Sequence, residues 1–258
     1  MIIWFSGTGN SRAVAEELGK LTGGETISLP SAIASGGNVS VPSGDNDVIW
    51  VFPVHSWGVP EVVRQMIHDI DITGEDLTHH LVATCGDDCG YTDRMWRHDM
   101  EQKGWSTGGA YTVIMPNTYV TFPFFDVDTP EVRDRKLSAM NDRIAAIAKD
   151  ITERQNHTDV KHGSFPSLKT GVIYPFFMRH LIRPDKFKVS DSCISCGKCA
   201  GICPLDNITL DRDRKPSWGK RCCTCLACYH ICPSRAISYG SLTKGKGQYY
   251  FGINDRKR

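Results

Sequence analysis

Cys193-x2-Cys196-x2-Cys199-x3-Cys203-Pro204 is followed in the same chain by Cys222-x2-Cys225-x2-Cys228-x3-Cys232-Pro233, the same spacing a second time. Three thiolates separated by two residues can wrap one face of a compact iron–sulfur cubane through a tight loop. The backbone N–H groups of that loop are then free to point at the cluster sulfurs. The fourth thiolate of each run points away from its own loop. One such run alone would also suit zinc. Two tandem copies, each closed by proline, argue for two [4Fe-4S] clusters.

The stretch resembles the two-cluster bacterial ferredoxins, and both cysteine motifs match in full. The resemblance implies that the fourth cysteine of each run serves the other cluster. Cluster one then takes Cys193, Cys196, Cys199 and Cys232, and cluster two takes Cys222, Cys225, Cys228 and Cys203. The near-repeat of Cys193-Ile194-Ser195-Cys196-Gly197-Lys198-Cys199 in Cys222-Cys223-Thr224-Cys225-Leu226-Ala227-Cys228 is what the pseudo-twofold fold of that family implies. A segment of about 50 residues is too small to rely on apolar burial alone, so a scaffold built around clusters makes physical sense. Cys223 is the extra thiol. It reads as a packed neighbour, because taking it in place of Cys222 breaks the spacing.

The chain has 258 residues, 23% charged and 40% hydrophobic, an ordinary composition for one or two globular domains. Eight of its eleven cysteines fall in the two motifs, which points to a reducing, cytoplasmic compartment rather than to disulfides. Met1-Ile2-Ile3-Trp4-Phe5 runs straight into a glycine turn, without a basic n-region or cleavage site. No apolar run is long enough to span a bilayer; the segment from Val172 to Ile182 is broken by Pro175, Arg179 and His180. Charge is uneven: 14 Lys and Arg against 5 Asp and Glu from Lys186 onward, and 16 against 24 before it. Ferredoxins of this type are usually acidic, so the basic end is a departure. It suits docking to an acidic surface, or a solvated tail at Lys244, Lys246 and Asp255-Arg256-Lys257-Arg258. Nothing points to nucleic acid.

At the other end, the apolar run Ile2–Phe5 reads as a central parallel strand, and Val14, Leu18 and Leu21 mark an amphipathic helix. Between them lies Ser6-Gly7-Thr8-Gly9-Asn10-Ser11. Strand, glycine loop and helix present backbone N–H groups and hydroxyls to a phosphate. There is no Gly-Lys-Ser/Thr, and Arg12 stands where a dinucleotide fingerprint needs its third glycine. A loop rich in hydroxyls and lacking lysine suits a dianionic monophosphate. It resembles the flavodoxin phosphate loop, T/S-x-T-G-x-T, with Ser11 in place of the last Thr, and the resemblance implies FMN.

Two more strand–loop–helix units follow. Asp47–Val54 ends in Pro53-Val54-His55-Ser56-Trp57-Gly58, and Leu81–Thr84 ends in Thr84-Cys85-Gly86-Asp87-Asp88-Cys89-Gly90-Tyr91. Their helices carry Val63, Met66, Ile67 and Ile70, and Trp96. Three such loops lie at the carboxyl edge of one parallel sheet, where doubly wound folds bind ligands. The resemblance implies that Pro53, Val54, His55, Ser56 and Trp57, with Thr84, Cys85, Gly86 and Tyr91, hold the flavin ring; Trp57 and Tyr91 offer aromatic faces. Ala110–Met115 reads as a further strand before Met115-Pro116-Asn117, and Leu137, Met140, Ile144, Ile147 and Ile151 as a long covering helix.

The expected architecture is an α/β, flavodoxin-like doubly wound parallel sheet over 1–162 and a packed, largely helical connection over 163–188. A small α+β two-cluster ferredoxin domain follows over 189–240. The tail over 241–258 is anchored by Tyr249, Tyr250 and Phe251. The resemblance to flavodoxin–ferredoxin fusion proteins implies an electron carrier between FMN, two [4Fe-4S] clusters and protein redox partners. An FMN-dependent reductase of a quinone or nitro compound and a redox sensor are the alternatives, with a homodimer left open. No nicotinamide site is recognisable.

Overall fold

The computed structural model describes residues 1–253, so the basic end at Asp255-Arg256-Lys257-Arg258 lies outside the described residues. The first part contains β1 (Ile2–Trp4), α1 (Asn10–Thr22), β2 (Thr26–Ser28), α2 (Leu29–Ala34), β3 (Asn38–Ser40), β4 (Asp47–Pro53) and α3 (Glu61–Asp69). It continues through β5 (Asp71–Thr73), β6 (Thr78–Cys85), α4 (Thr92–Gln102), β7 (Ser106–Ile114), α5 (Pro130–Thr152) and β8 (Thr158–Asp159). The main sheet has the order β2-β1-β4-β6-β7-β8, and every pairing in it is parallel. Without β3 and β5, which pair with each other apart from it, the first five strands run in the flavodoxin-like doubly wound order. The order reverses between β1 and β4, which is where such sheets bind ligands.

The sequence of β4 shows why it is central. Val48, Trp50 and Phe52 point into one core, shared with Val63 and Ile67 of α3 and Trp96 of α4. Ile49 and Val51 point into the other, shared with Val14 and Leu18 of α1 and Ile144, Ile147 and Ile151 of α5. A strand buried on both faces reads as an unbroken apolar run, and each large side chain so buried contributes about 1.5–3 kcal/mol. Leu21, expected on the buried face of α1, is instead 48% exposed in its last turn.

β6 starts three residues earlier than its apolar run suggests, because His79 and His80 are both buried. His80 Nε2 lies 3.0 Å from Asp47 Oδ1, and its Nδ1 accepts the Gly109 N–H. His79 Nδ1 accepts the indole N–H of Trp50 at 3.0 Å and its ring stacks on Trp105. Burial pushes the His79 imidazole down to about 4.

A kinked helix then joins the two parts: α6 (Pro166–Leu168), a π turn over Lys169–Ile173, and α7 (Tyr174–His180). Beyond it come β9 (Phe187–Val189), α8 (Lys198–Gly201), β10 (Ile208–Leu210), β11 (Pro216–Trp218), α9 (Ala227–Ile231) and β12 (Ile237–Tyr239). β10–β11 and β9–β12 form two small antiparallel pairs. No helix among the described residues is long and apolar enough to cross a membrane.

Candidate functional site

The phosphate-type loop Ser6–Ser11 sits at the carboxyl end of β1 and is buried throughout. Gly9 takes a left-handed conformation (φ 91°) and no side chain caps the α1 N-terminus. The first turn of α1 has no acidic residue, whereas α3, α4 and α5 begin with Glu61, Asp93 and Glu131. Uncapped amides, a helix dipole free of local acid and three hydroxyls are the donor set a monophosphate needs, so the residues present fit that end of FMN. The hydroxyls are already tied into the neighbouring loops. Ser6 Oγ accepts the Gly9 N–H (3.2 Å), Ser11 Oγ is 2.7 Å from Thr84 Oγ1, and Thr8 Oγ1 is 3.4 Å from Thr118 Oγ1. The Asn10 amide donates to Pro116 O (2.9 Å).

The second and third loops meet the first at one edge. Val54 N–H donates to Thr84 O (2.8 Å), and Met115 N–H to Cys85 O (2.8 Å). His55 and Gly58 close a tight turn with reciprocal hydrogen bonds (3.0 and 3.1 Å). Within it Ser56 (φ 48°) and Trp57 (φ 64°) are both left-handed, a strained backbone of the kind concentrated at ligand clamps. Burial pushes His55 down to about 4, so it is neutral near pH 7. Cys85 and Cys89 are buried; burial raises both thiols, Cys89 to about 12, so neither is a thiolate nucleophile.

The connecting helix covers these loops, which sequence reasoning missed residue by residue. Thr170 Oγ1 donates to Trp57 O (2.7 Å) and accepts the Tyr91 N–H (2.8 Å). Tyr174 OH donates to Val59 O (2.6 Å), and a Cβ at Gly58 would run into the Tyr174 ring. Lys169 pairs with Asp88 (2.7 Å) and lies 5.1 Å from the Trp57 ring centroid. The Arg94 guanidinium lies 3.7 Å from the Tyr91 ring centroid, with His162 at the ring's edge. One face of each expected aromatic platform is therefore taken by a cation of the protein itself. The apolar content of 163–188 was the only signal in the sequence for this packing.

The two cysteine runs repeat in three dimensions. Ser195 (φ 55°), Gly197 (φ 73°) and Asp206 (φ 46°) are left-handed in the first run, and Thr224 (φ 53°), Leu226 (φ 62°) and Arg235 (φ 52°) hold the equivalent places in the second. Such turns aim successive N–H groups inward. Asn207 N–H donates to Cys203 Sγ (3.4 Å), and its counterpart Ala236 N–H to Cys232 Sγ (3.3 Å). Cys193, Cys196, Cys199 and Cys232 line one small cavity, together with Ile194, Lys198 and Arg214. Cys203, Cys222, Cys225 and Cys228 lie near enough to perturb one another electrostatically.

Burial raises the thiols of Cys199 and Cys203, and pushes Cys222 up to about 12. Left protonated, they would be inert; cationic iron would deprotonate them outright. A hydrogen bond from Cys223 instead lowers Cys225. Among the described residues no three His, Cys, Asp or Glu side chains converge on a single-ion site. Eight free thiols in two groups of four, supplied with N–H···S bonds, are a donor set that fits two clusters.

The two parts meet at the phosphate loop. A Cβ added to Gly7 would lie 2.8 Å from Cys225 Cβ. Cys223, Cys225 and Leu205 pack into the same core as Phe5, Trp50 and Phe52. His230 Nε2 donates to Thr118 O (2.7 Å) while its Nδ1 accepts the Tyr249 N–H (3.1 Å). The C-terminal segment then straps the loop: Tyr249 OH donates to Asn10 Oδ1 (3.2 Å) and Phe251 N–H to Thr8 O (2.9 Å).

No family model matches the chain. A ferredoxin from Pyrobaculum islandicum (strain DSM 4184 / JCM 9189 / GEO3) is 39% identical over 69 residues, covering 24% of this chain and 64% of that protein. The chain thus spans less than two thirds of that relative's length. A Streptococcus pneumonia TIGR4 flavodoxin aligns in three dimensions at 15% identity and a TM-score of 0.33, over 57% of this chain and 97% of that one. Rubredoxin oxygen:oxidoreductase from Desulfovibrio gigas aligns at 17% identity and a TM-score of 0.34, over 57% of this chain and 35% of that one.

Proposed function

We propose that this chain, a flavodoxin-like α/β fold joined to a ferredoxin-like segment, is an electron-transfer protein holding one FMN and two [4Fe-4S] clusters. The observation that carries the reading is the contact of Gly7, in the phosphate loop, with Cys225, in the second cysteine run. Ser6, Gly7, Thr8, Gly9, Asn10 and Ser11 would hold the phosphate. Pro53, Val54, His55, Ser56 and Trp57, with Thr84, Cys85, Gly86 and Tyr91, would border the ring. FMN accepts electrons in pairs and clusters pass them singly, so one chain holding both converts between the two.

The residues divide the remaining work. The uncapped α1 amides neutralise the phosphate. Leu205 and Cys223 exclude water where the two parts join. The N–H bonds from Asn207 and Ala236 spread the thiolate charge, one of the protein's means of setting cluster potential. Cys222, Cys225, Cys228 and Cys203 keep their cluster on the flavin side. Exposed Cys196 brings the edge of the other, with Cys193, Cys199 and Cys232, toward external redox proteins.

Anaerobic reconstitution of the whole chain tests this. The expected product binds about one FMN and about eight iron atoms, and both chromophores bleach with a reduced redox protein. A brown product without flavin absorbance would remove the first half of the reading. Rapid bleaching by NADH or NADPH would replace the carrier with a nicotinamide-linked reductase.

A further inference from the structure

The connecting helix has two faces of unusual character. Tyr174 and Phe177 point inward and are buried. Phe165, Leu168, Val172, Ile173 and Phe176, spaced by three, four, one and three residues, share the opposite face and are 76%, 52%, 59%, 37% and 57% exposed. Beside them lies a second apolar projection. Tyr119 packs edge-on against Phe177 (5.6 Å) and Phe125 against Tyr119 (6.4 Å), so the loop carrying Phe122, Phe124 and Phe125 adjoins the helix. Phe124 is left-handed (φ 69°) and fully exposed. Single exposed apolar residues need no explanation, but two adjoining segments of them mark an interaction surface.

Charge selects among the occupants. From 160 to 184 the chain has no acid, while Lys161, Lys169, Arg179 and Arg183 are basic. Lys161 and Arg179 are exposed, and among the described residues no ion pair engages either. Two copies meeting across a twofold axis would bring these cations together. Phe124 and Phe165, 103% and 76% exposed, project outward. Lys169 and Arg183 are neutralised by Asp88 and Asp185, and exposed Asp126 ends the 122–125 loop, where Lys246 holds the Phe122 and Phe125 carbonyls. A helix lying flat and apolar outward, with the unpaired cations Lys161 and Arg179 beside it, matches the acyl boundary of an anionic bilayer.

We propose that this surface, the helix 165–180 with the 122–125 loop, docks the protein on anionic membrane surfaces. Phe124, Leu168, Val172 and Phe176 enter the acyl boundary while Lys161 and Arg179 meet lipid headgroups. The helix lies on the bilayer and does not cross it.

Co-sedimentation of the full holoprotein with phosphatidylcholine vesicles, with or without about one-third phosphatidylglycerol, tests the proposal. Binding is expected to rise roughly tenfold with the anionic lipid and to weaken as salt increases. The double variant Phe124→Ser/Phe176→Ser, at positions too exposed to affect folding, is expected to lose roughly tenfold or more. Arg179→Ala is expected to lose roughly fivefold, on anionic vesicles only. Three results would overturn the proposal: no sedimentation with anionic vesicles at low salt, binding that ignores the phenylalanine substitutions, or a dimer in light scattering that Phe176→Ser dissociates. A protein ligand that binds this face while vesicles do not would also overturn it, in favour of an acidic protein partner.

Discussion

The two cysteine runs share one backbone and differ in where they sit. Leu226 occupies in the second run the left-handed place that Gly197 occupies in the first, and the N–H bonds to sulfur recur at Asn207 and Ala236. Yet Cys196 is exposed and Ile194 beside it is 64% exposed, whereas Cys225 abuts Gly7 and Cys223 is buried in the core of the α/β part. Identical cysteine spacing therefore meets two environments. Burial and N–H donation tune cluster potential, so the difference suits one inner and one outer station.

The largest effect should separate the stations. Cys228→Ser and Cys196→Ser should each leave about half the iron of the parent protein by metal analysis. Only Cys228→Ser should also stop electron exchange with the flavin. Equal effects of the two variants on flavin reduction would erase the distinction. Gly7→Val probes the joint directly. The added side chain meets Cys225 and should destabilise the protein by about 1–3 kcal/mol in chemical unfolding, and slow exchange between flavin and cluster without removing iron.

The same contrast explains what could be read in the sequence. Both cysteine runs and the Ser6–Ser11 loop announce themselves because they set particular residue types at short, regular spacings. β1 and β4 are legible because burial on both faces leaves an unbroken apolar run. The start of β6 was hidden, since His79 and His80 look polar and their burial is compensated by Trp50, Trp105, Asp47 and Gly109, distant in sequence. In the connecting helix, apolar content signalled packing but not direction: Tyr174 and Phe177 turn inward while Phe176 turns out. The contacts of Thr170 with Trp57 and Tyr91 had no local signal at all.

Two smaller effects belong to the α/β part. His79 titrates near 4 when folded and near 6.5 when unfolded, so its stabilisation is complete above pH 6.5 and declines as pH falls toward 4. Unfolding free energy should decline by roughly 1 kcal/mol per pH unit through this group, and His79→Gln should flatten that slope in Trp fluorescence melts. Tyr174→Phe leaves the Val59 carbonyl without its donor and should cost about 1 kcal/mol in unfolding. A loss near zero would mean that the helix is held to the loops after β4 and β6 by apolar contact and by Thr170 alone.

In the proposed arrangement Cys203, Cys222, Cys225 and Cys228 hold their cluster against the Ser6–Ser11 loop, where Gly7 meets Cys225. Microwave power saturation of the flavin radical by electron paramagnetic resonance, with the clusters reduced, reads that proximity. Fast relaxation of the radical is expected in the parent protein and in Cys196→Ser, and slow relaxation in Cys228→Ser. A radical that relaxes as slowly as free flavin in the fully loaded parent would contradict it.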